Sequence, residues 1–533
     1  MSDTQKQQNF LQGTALLAMA TAIVKVIGAL YKIPLNAIIG EQGFSYFNTA
    51  YEIYSVLMTL SVAGLPLAMS RMIAEASALG RYNQVRRIYS TARALFFTMG
   101  MLGSLLMTLF SRQLAAFQEQ PDAWFAIACL GPALFLICTM STFRGFFQGQ
   151  GNMRPTAISQ VLEAVCKLII GMGAALLLLN LTGQKSFAAG GAILGVTCSC
   201  VVSVIYLFFC YRKAKRDLPV SQEAADGYGS TLKKLLSISI PIAIGSSGIS
   251  ILMLLETKVY MSQLIGLGYS QDQADVMKGI YDMSKTIFNM PLAFISPIAV
   301  SLMPAITAHV ATGDHASIKS TEESALRVLG LVIAPCSVGL LVLAKPVMGL
   351  LGGYDGDNLV LGGTLLALLS VSLMLSSMIT LTSSVMQAHG HPTLPVINMF
   401  IGGVIKLTTT FILSRNPHIG IMGAPIGTIV GYFAIMTLNI ITMRRCTQSR
   451  PAIMKQLMRP LVAAALMGIL VLGFRIALVH VLGPDTSNLI LTALPVLLGV
   501  AVYAFAALKL KAITREDCML LPKGEKIADI LHL

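Results

Sequence analysis

The stretch FRGFFQGQGNMRPTAISQVLEAVCKLIIGMGAALLLL, residues 143–179, is apolar enough in its second half to span a membrane, yet it contains ionisable residues. A helix that begins at Pro155 places Lys167 about 18 Å along its axis. Glu163 lies one turn before Lys167, in the Glu-to-Lys order that favours an i,i+4 pair. Ionisable residues at such depth are costly and usually face a cavity or a partner. The stretch therefore predicts a membrane helix that lines a polar interior.

The rest of the chain continues this apolar pattern. Of 533 residues, 55% are hydrophobic and 12% are charged, and the mean hydropathy is +0.74. A soluble domain usually carries about 25% charged residues, whereas this chain repeats apolar runs long enough to cross the hydrocarbon layer. Long runs without period-two alternation favour helices over barrel strands. We therefore expect an all-α polytopic membrane protein.

Fourteen transmembrane helices are predicted from these runs. Glycine and proline interrupt many of them, which membrane helices tolerate where neighbours satisfy the freed backbone groups. The predicted spans are 11–39, 44–76, 88–111, 124–147, 155–181, 187–210, 235–265, 278–308, 324–350, 360–386, 394–414, 419–443, 457–481 and 488–508.

The distribution of charge predicts the orientation of these helices. The formal net charge is +14, but the basic residues are scattered over short loops. They form no basic domain with interleaved aromatic residues, so we expect no nucleic-acid partner. Most of them lie in the loops that follow even-numbered spans, as at 212–216 and 444–459. By the positive-inside rule, both termini are predicted to be cytoplasmic.

The quoted stretch has a second copy 239 residues further along the chain. With this shift, Gln148, Gly151, Ile158, Lys167 and Leu168 fall on Gln387, Gly390, Ile397, Lys406 and Leu407. The distance covers six helices, an even number, so the two halves share one orientation. We predict two parallel six-helix repeats plus a C-terminal helix pair. The predicted divisions are an N-lobe at 1–211, a cytoplasmic linker at 212–234, a C-lobe at 235–445, helices 13 and 14 at 446–510 and a cytoplasmic tail at 511–533.

Ionisable residues recur deep within the predicted spans. They are Lys25, Lys32, Glu52, Glu163, Lys167, Asp282, Lys285 and Lys406. One interpretation is structural, with charge pairs that lock helices and long lysines that snorkel to the surface. The other rests on the recurrence of lysine in spans 1, 5, 8 and 11, which favours a water-filled cationic cavity between the lobes. Such a cavity suits an anion, above all a phosphate or diphosphate.

Several motifs of enzymes and cofactor sites are absent from the sequence. It contains no Walker A motif, and no HExxH, GxSxG or outer-loop Asp/His cluster typical of membrane proteases and transferases. Most cysteines lie within apolar runs and no CxxC occurs, so we expect neither a disulfide nor a metal site. We therefore predict a protein that is not an enzyme and has no cofactor. A coupling ion, Na⁺ or H⁺, stays open.

Three segments resemble a known family. AGLPLAMSRMIAEA at 63–76, FRGFFQGQGNMRPTAISQVLEAVCKL at 143–168 and QAHGHPTLPVINMFIGGVIKL at 387–407 look like signatures of the stage V sporulation protein B-like branch. That branch belongs to the multidrug/oligosaccharidyl-lipid/polysaccharide exporter superfamily and is related to the MurJ-type lipid II flippases. The resemblance covers nearly the whole chain.

The resemblance implies a two-lobed transporter of fourteen helices in the bacterial cytoplasmic membrane. Such proteins carry undecaprenyl-diphosphate-linked saccharides from the cytoplasmic to the outer leaflet by alternating access. In MurJ-type flippases, arginines on the first and eighth helices line the cavity. Here Lys25 stands where the first arginine falls, Lys285 lies near the eighth-helix position, and Tyr31 or Lys32 replaces a second first-helix arginine. The implied partners are the lipid-linked saccharide, membrane lipids and, as further candidates, other cell-wall synthesis proteins.

The leading functional prediction is a flippase for a polyprenyl-diphosphate-linked cell-wall precursor, with lipid II as the first candidate. The deep lysines would hold the diphosphate, and Glu52, Glu163 and Asp282 would orient them as the lobes move. The rival predictions are a cation-coupled multidrug exporter of the same superfamily, a membrane scaffold of an envelope-synthesis complex and a membrane transferase. The sequence is compatible with a vegetative or a sporulation role.

Overall fold

The structure is a computed structural model, and it describes residues 3–62, 64–219, 223–293, 295, 306–307, 309–310, 312, 314–447, 450–483 and 487–512. Within these ranges every regular element is helical. The α-helices are α1 Asp3–Val62, α2 Leu65–Ala78, α3 Tyr82–Leu109, α4 Ser111–Phe117, α5 Trp124–Gly149, α6 Arg154–Thr182, α7 Lys185–Arg216, α8 Tyr228–Gly266, α9 Gln271–Leu292, α10 His315–Val342, α11 Ala344–Val347, α12 Gly356–Ala388, α13 Thr393–Ser414, α14 Gly423–Cys446, α15 Ile453–Leu482 and α16 Asn488–Lys509. The predicted all-α class is confirmed for the described residues.

The long helix α1 contains the first predicted span and most of the second. Its backbone leaves the helical region at Gly40, with φ 67° and ψ 179°, a conformation that glycine adopts without a Cβ clash. This kink falls between the predicted spans 11–39 and 44–76. The second span is itself interrupted before α2, whose first turn contains Pro66. Proline is favoured there because its missing N–H would have no helical partner.

The eighth predicted span, 278–308, differs from the structure at its start. Helix α9 begins seven residues earlier, at Gln271, because its first two turns pack against other helices of the chain and not only against lipid. Residues 296–305, which include Pro297 and Pro304, lie outside the described residues.

The structure supports many membrane crossings. Among the described residues, twelve helices are long and apolar enough to span a bilayer, with α1 and α2 counted as one and α9 not included. Large apolar side chains are exposed on several of them, as at Leu102, Leu177, Ile469 and Leu497. A soluble monomer rarely exposes so much apolar surface, so these faces suit lipid. The chain is a multi-pass membrane protein, and the count of fourteen spans stays a prediction.

The chain packs as two compact units, residues 1–282 and 283–533. In the first unit, α1 contacts α5, α6, α7 and α8, and α6 packs along α7. In the second unit, α10 packs against α12 and α15, while α14 packs against α12 and α13. Helix α8 and the start of α9 therefore pack with the first unit. The predicted N-lobe at 1–211 and C-lobe at 235–445 stay a prediction.

The predicted linker, residues 212–234, is held against the start of α3. The Arg81 guanidinium forms ion pairs with Glu223 at 3.2 Å and Asp226 at 2.9 Å. The side chain of Gln84 accepts a hydrogen bond from the backbone N–H of Asp226 at 2.7 Å. Each exposed ion pair contributes little by itself, but together these contacts fix the described part of the linker to the first unit.

Candidate functional site

A fully buried ammonium group lies within the first unit. The Nζ atom of Lys278 is 2.7 Å from Asp282 Oδ2 and 3.7 Å from Glu52 Oε1. The side chains of Lys278 and Asp282 are 0% and 1% exposed, and that of Glu52 is 18% exposed. A buried charge is tolerated only where a partner compensates it. We call these three residues the Lys278 cluster.

Two helices build the Lys278 cluster. Lys278 and Asp282 are one turn apart on α9, and Glu52 comes from α1. The helices approach so closely at Gly279 that a Cβ atom there would lie 1.9 Å from the backbone oxygen of Glu41. The missing side chain of Gly279 therefore allows the close contact of α9 with α1, the helix that carries Glu52.

A second set of polar groups surrounds Asp275, one turn before Lys278. The Asp275 carboxylate accepts hydrogen bonds from Gln120 Nε2 at 2.7 Å, Gln271 Nε2 at 3.1 Å and the Tyr46 hydroxyl at 3.1 Å. Burial raises the pKa of Asp275 to about 6, although these hydrogen bonds act in the opposite direction. The carboxyl group thus titrates near neutral pH because removal of solvent outweighs its polar partners.

Glu52 and Asp282 both face Lys278, a residue that the sequence did not single out. Their expected role in orienting the predicted cavity lysines stays a prediction. The i,i+4 spacing of Lys278 and Asp282 was visible in the sequence and indicates a pair on one helix face. The contribution of Glu52, 226 positions before Lys278, depends on helix packing and had no local signal.

Another charged cluster lies between α5, α6 and α1. The Arg144 guanidinium is 2.9 Å from Glu163 Oε2 and donates a hydrogen bond to Ser159 Oγ at 3.1 Å. Lys167 lies over two aromatic rings, 5.2 Å from the centroid of Tyr31 and 5.6 Å from that of Tyr51.

The expected i,i+4 pair of Glu163 and Lys167 is therefore wrong in this structure. The guanidinium of Arg144, on a neighbouring helix, forms the ion pair with the Glu163 carboxylate instead. An arginine near the end of a predicted span is ordinary in a membrane helix, but the side chain of Arg144 is only 17% exposed. Among the described residues, no carboxylate lies within ion-pair distance of the Lys167 ammonium group.

The lysines of α1 lie in two different environments. Lys32 Nζ donates a hydrogen bond to Asn48 Oδ1 at 3.0 Å, across the kink at Gly40. Lys25 is exposed on the helix. One turn before it, the Thr21 hydroxyl is 3.5 Å from Gln160 Oε1 on α6. The structure thus brings the polar face of α1 against α6.

The second unit contains the two remaining predicted lysines. Lys406 Nζ lies 5.8 Å from the ring centroid of Tyr432, and Lys285 is half-buried on α9. A common cavity that holds these lysines with those of the first unit stays a prediction. Among the described residues, no group of three or more His, Cys, Asp or Glu side chains is arranged to hold a metal ion.

Comparison of the sequence with known families identifies the family of the chain. The model described as "Polysaccharide biosynthesis protein" matches residues 10–309, more than half of the chain. The chain therefore belongs to this family.

Three similar proteins come from Bacillus subtilis strain 168. The membrane protein YabM is 26% identical over 98% of this chain and 96% of its own length. The lipid II flippase MurJ is 24% identical over 86% of this chain and 87% of its own length. Stage V sporulation protein B is 25% identical, with coverages of 82% and 84%. The predicted resemblance to this branch is confirmed.

Two solved structures have a similar fold. An inward-facing multidrug resistance MATE transporter of the MOP superfamily superposes with a TM-score of 0.64 at 16% identity, covering 80% of this chain and 98% of its own. The lipid II flippase MurJ in an inward closed conformation also gives 0.64, at 12% identity, covering 92% and 98%. One of these relatives is by name a lipid II flippase, and the two solved structures are a transporter and a flippase whose fold this chain shares.

Proposed function

We propose that this member of the polysaccharide biosynthesis protein family is a flippase for a polyprenyl-diphosphate-linked cell-wall precursor, with lipid II as the first candidate. It would move this lipid from the cytoplasmic to the outer leaflet of the bacterial cytoplasmic membrane by alternating access. The observation that carries the proposal is the environment of Lys167. Its ammonium group lies deep in the chain over the rings of Tyr31 and Tyr51, while the nearest carboxylate on its helix is bound to Arg144.

This arrangement favours an anionic cargo because a cation–π contact does not neutralise the ammonium charge. An aromatic ring offers about 0.5–2 kcal/mol of attraction, whereas a phosphate oxygen forms a charge-assisted hydrogen bond with the same group. Lys25, Lys32, Lys285 and Lys406 are the other lysines that we propose for the diphosphate. The acidic residues Glu52 and Asp282 are engaged by Lys278, which offsets part of their negative charge.

Movement of a charged headgroup across the membrane requires a source of free energy. The chain has no Walker A motif for ATP, so an ion gradient or the membrane potential is the proposed source. One charge moved through 100 mV corresponds to about 2.3 kcal/mol. The coupling ion, Na⁺ or H⁺, is left to experiment.

Export of cationic drugs is the second candidate function, because a multidrug MATE transporter shares the fold with the same TM-score as MurJ. Such cargo requires carboxylates that are open to the cavity. In the first unit, Glu163, Glu52 and Asp282 all face basic side chains. The pairing of these carboxylates favours the anionic cargo.

The test is transbilayer movement of fluorescently labelled lipid II in proteoliposomes that contain the purified protein. We expect movement by the wild type and its loss in Lys25→Ala and Lys285→Ala. Lys509→Ala is the matched control, because it removes a lysine at the end of α16. Loss in all three variants would point to a general effect of charge and would contradict the proposal. Absence of movement by the wild type, with and without an imposed ion gradient, would exclude lipid II as the cargo.

A further inference from the structure

We infer that Arg144 is a positioning residue for Lys167: it holds Glu163 in an ion pair and thereby leaves the Lys167 ammonium available to an anion. The inference rests on the proposed function for the identity of the anion, a lipid-linked diphosphate. It adds a residue, Arg144, that the predicted set of cavity residues did not contain.

Arg144 and Lys167 are two cations that compete for the Glu163 carboxylate. Glu163 precedes Lys167 by one turn of α6, a spacing at which the two side chains pair readily. The structure instead places Arg144 Nη2 2.9 Å from Glu163 Oε2. Arginine is well suited to hold a carboxylate because its planar guanidinium donates in fixed directions. Without Arg144, the Glu163 carboxylate would have the Lys167 ammonium group as the nearest cation on its own face of α6.

Arg144 is itself fixed in place by a second contact. Its Nε donates to the hydroxyl oxygen of Ser159, 3.1 Å away, and that hydroxyl donates to the backbone carbonyl of Thr156 at 2.8 Å. Ser159 is fully buried on α6. The guanidinium thus spans from Ser159 to Glu163, one turn apart on α6, and is held on the side of Glu163.

The aromatic rings fix the position of Lys167 without removing its charge. The Tyr31 ring is fully buried, and its hydroxyl donates to the backbone carbonyl of Ala192 at 3.1 Å. Gly171, one turn beyond Lys167, leaves room for that hydroxyl, because a Cβ atom there would lie 2.7 Å from it. Arg144, Glu163 and Lys167 together therefore keep one net positive charge, located on the lysine.

The internal repeat supports this division of roles. With the shift of 239 residues, Lys406 replaces Lys167, but Ser383 stands in place of Arg144 and Gly402 in place of Glu163. Lys406 also lies over a tyrosine ring, that of Tyr432. The arginine and the glutamate are thus missing together from the second copy while the lysine is kept. This is the pattern expected if the arginine is needed only where the glutamate is present.

Packing in the second unit shows that these two positions are filled differently. The hydroxyl of Ser383 accepts a hydrogen bond from Asn439 Nδ2 at 3.2 Å. At Gly402 a Cβ atom would lie 2.1 Å from Cγ1 of Ile435. A side chain at that site would require the Ile435 side chain to move. With glycine there, the second copy has no carboxylate beside Lys406 at the position equivalent to Glu163.

The experiment measures movement of labelled lipid II in proteoliposomes, per amount of folded protein, for a set of variants. Arg144→Gln should slow movement about tenfold or more, the loss expected when a charge-assisted hydrogen bond is removed. Arg144→Lys should keep most of the activity because it keeps the charge. The double variant R144Q/E163Q should recover activity, since position 163 then has no carboxylate that could pair with Lys167. Arg154→Gln, at the exposed start of α6, is the matched control.

A purely structural ion pair would also be relieved by removal of both partners, so a second comparison is needed. If Arg144 acts through Lys167, R144Q/K167Q should be no slower than K167Q, because interacting sites are non-additive. Additive losses would overturn the inference, as would full activity of R144Q.

If the wild type does not move lipid II, the proposed cargo fails but the inference remains testable. A cryo-electron microscopy structure of R144Q then decides it. A Glu163 carboxylate within 4 Å of Lys167 Nζ would support the inference, and a carboxylate that stays away from Lys167 would overturn it.

Discussion

At the residue scale, the fully buried ammonium group of Lys278 is a charge that the protein can hold only with compensating partners. It has no solvent contact, and two carboxylates from α9 and α1 compensate its charge. Two charges removed from water are costly, and a pair of this kind is stable only if its geometry is good. Loss of one partner is therefore far more damaging than loss of an exposed lysine.

We predict that Lys278→Met strongly destabilises the protein, because Glu52 and Asp282 would keep buried negative charge without their cation. Broken buried pairs typically cost about 3–5 kcal/mol. Thermal unfolding of the purified protein in detergent should show a lowered Tm. Lys319→Met is the control, since Lys319 is exposed on α10. The double variant K278M/D282N should regain part of the loss, and equal Tm values for K278M and K319M would contradict the prediction.

Asp275 gives a prediction about pH. It precedes the predicted eighth span, and its pKa is raised by burial from 3.8 to about 6. Because the folded-state pKa lies above the ordinary value, the folded protein binds a proton that the unfolded chain releases. The contribution of this group to stability is therefore greatest below pH 3.8 and is lost as the pH rises through about 6. Lys278, one turn away, opposes the shift but does not cancel it.

Asp275→Asn should therefore gain Tm relative to the wild type as the pH is raised through 6. The asparagine Oδ1 can still accept hydrogen bonds from Gln120 and Gln271, and its Nδ2 can donate to the Tyr46 hydroxyl oxygen, so the main change is the loss of the titratable charge. Thermal unfolding at several pH values on either side of 6 measures it. A difference in Tm between variant and wild type that does not change with pH would show that Asp275 does not titrate in this interval.

At the element scale, the contact of α9 with α1 decides which charges meet. Gly279 is the point of closest approach, and a Cβ atom there would overlap the Glu41 backbone oxygen at 1.9 Å. A backbone atom cannot move aside as a flexible side chain can, so α9 would have to shift. That shift would separate Glu52 from Lys278.

We expect Gly279→Ala to lower stability by about 1–3 kcal/mol, the usual cost of an overpacked site. Gly473→Ala on α15 is the control, because no atom lies within 4 Å of a Cβ atom built there. In that control, Tm should stay the same or rise slightly, since alanine is the better helix former. Comparable losses of Tm in both variants would refute a specific contact between α9 and α1.

At the scale of the whole molecule, the distribution of basic residues predicts the orientation in the membrane. The basic loops follow even-numbered spans, which places both termini in the cytoplasm if the count of spans is even. A green fluorescent protein fused to either end should fluoresce, and alkaline phosphatase fused to either end should be inactive. Active phosphatase at one end alone would require an odd number of spans and would contradict the predicted count of fourteen.

Much of the architecture could be predicted from the sequence because hydrocarbon allows few alternatives. An apolar run of about 20 residues must satisfy its backbone hydrogen bonds internally, so it forms a helix whatever its neighbours are. The break at Gly40 was also foreseeable, since it lies between two such runs. The early start of α9 was not, because its first turns are polar and are stabilised by contacts with Tyr46, Gln120 and Glu52.

The sequence by itself determined that this chain is a helical membrane protein with lysines at depth, and it carried the resemblance to the exporter superfamily. Only the tertiary structure decided which charges pair. The local spacing predicts an ion pair between Glu163 and Lys167. In the folded chain, however, helix packing brings the Arg144 guanidinium to the Glu163 carboxylate, and the ion pair forms there. In the same way Glu52 and Asp282 meet Lys278 across the contact of two helices. Helical periodicity fixes neighbours within one helix, whereas partners on different helices depend on how those helices pack.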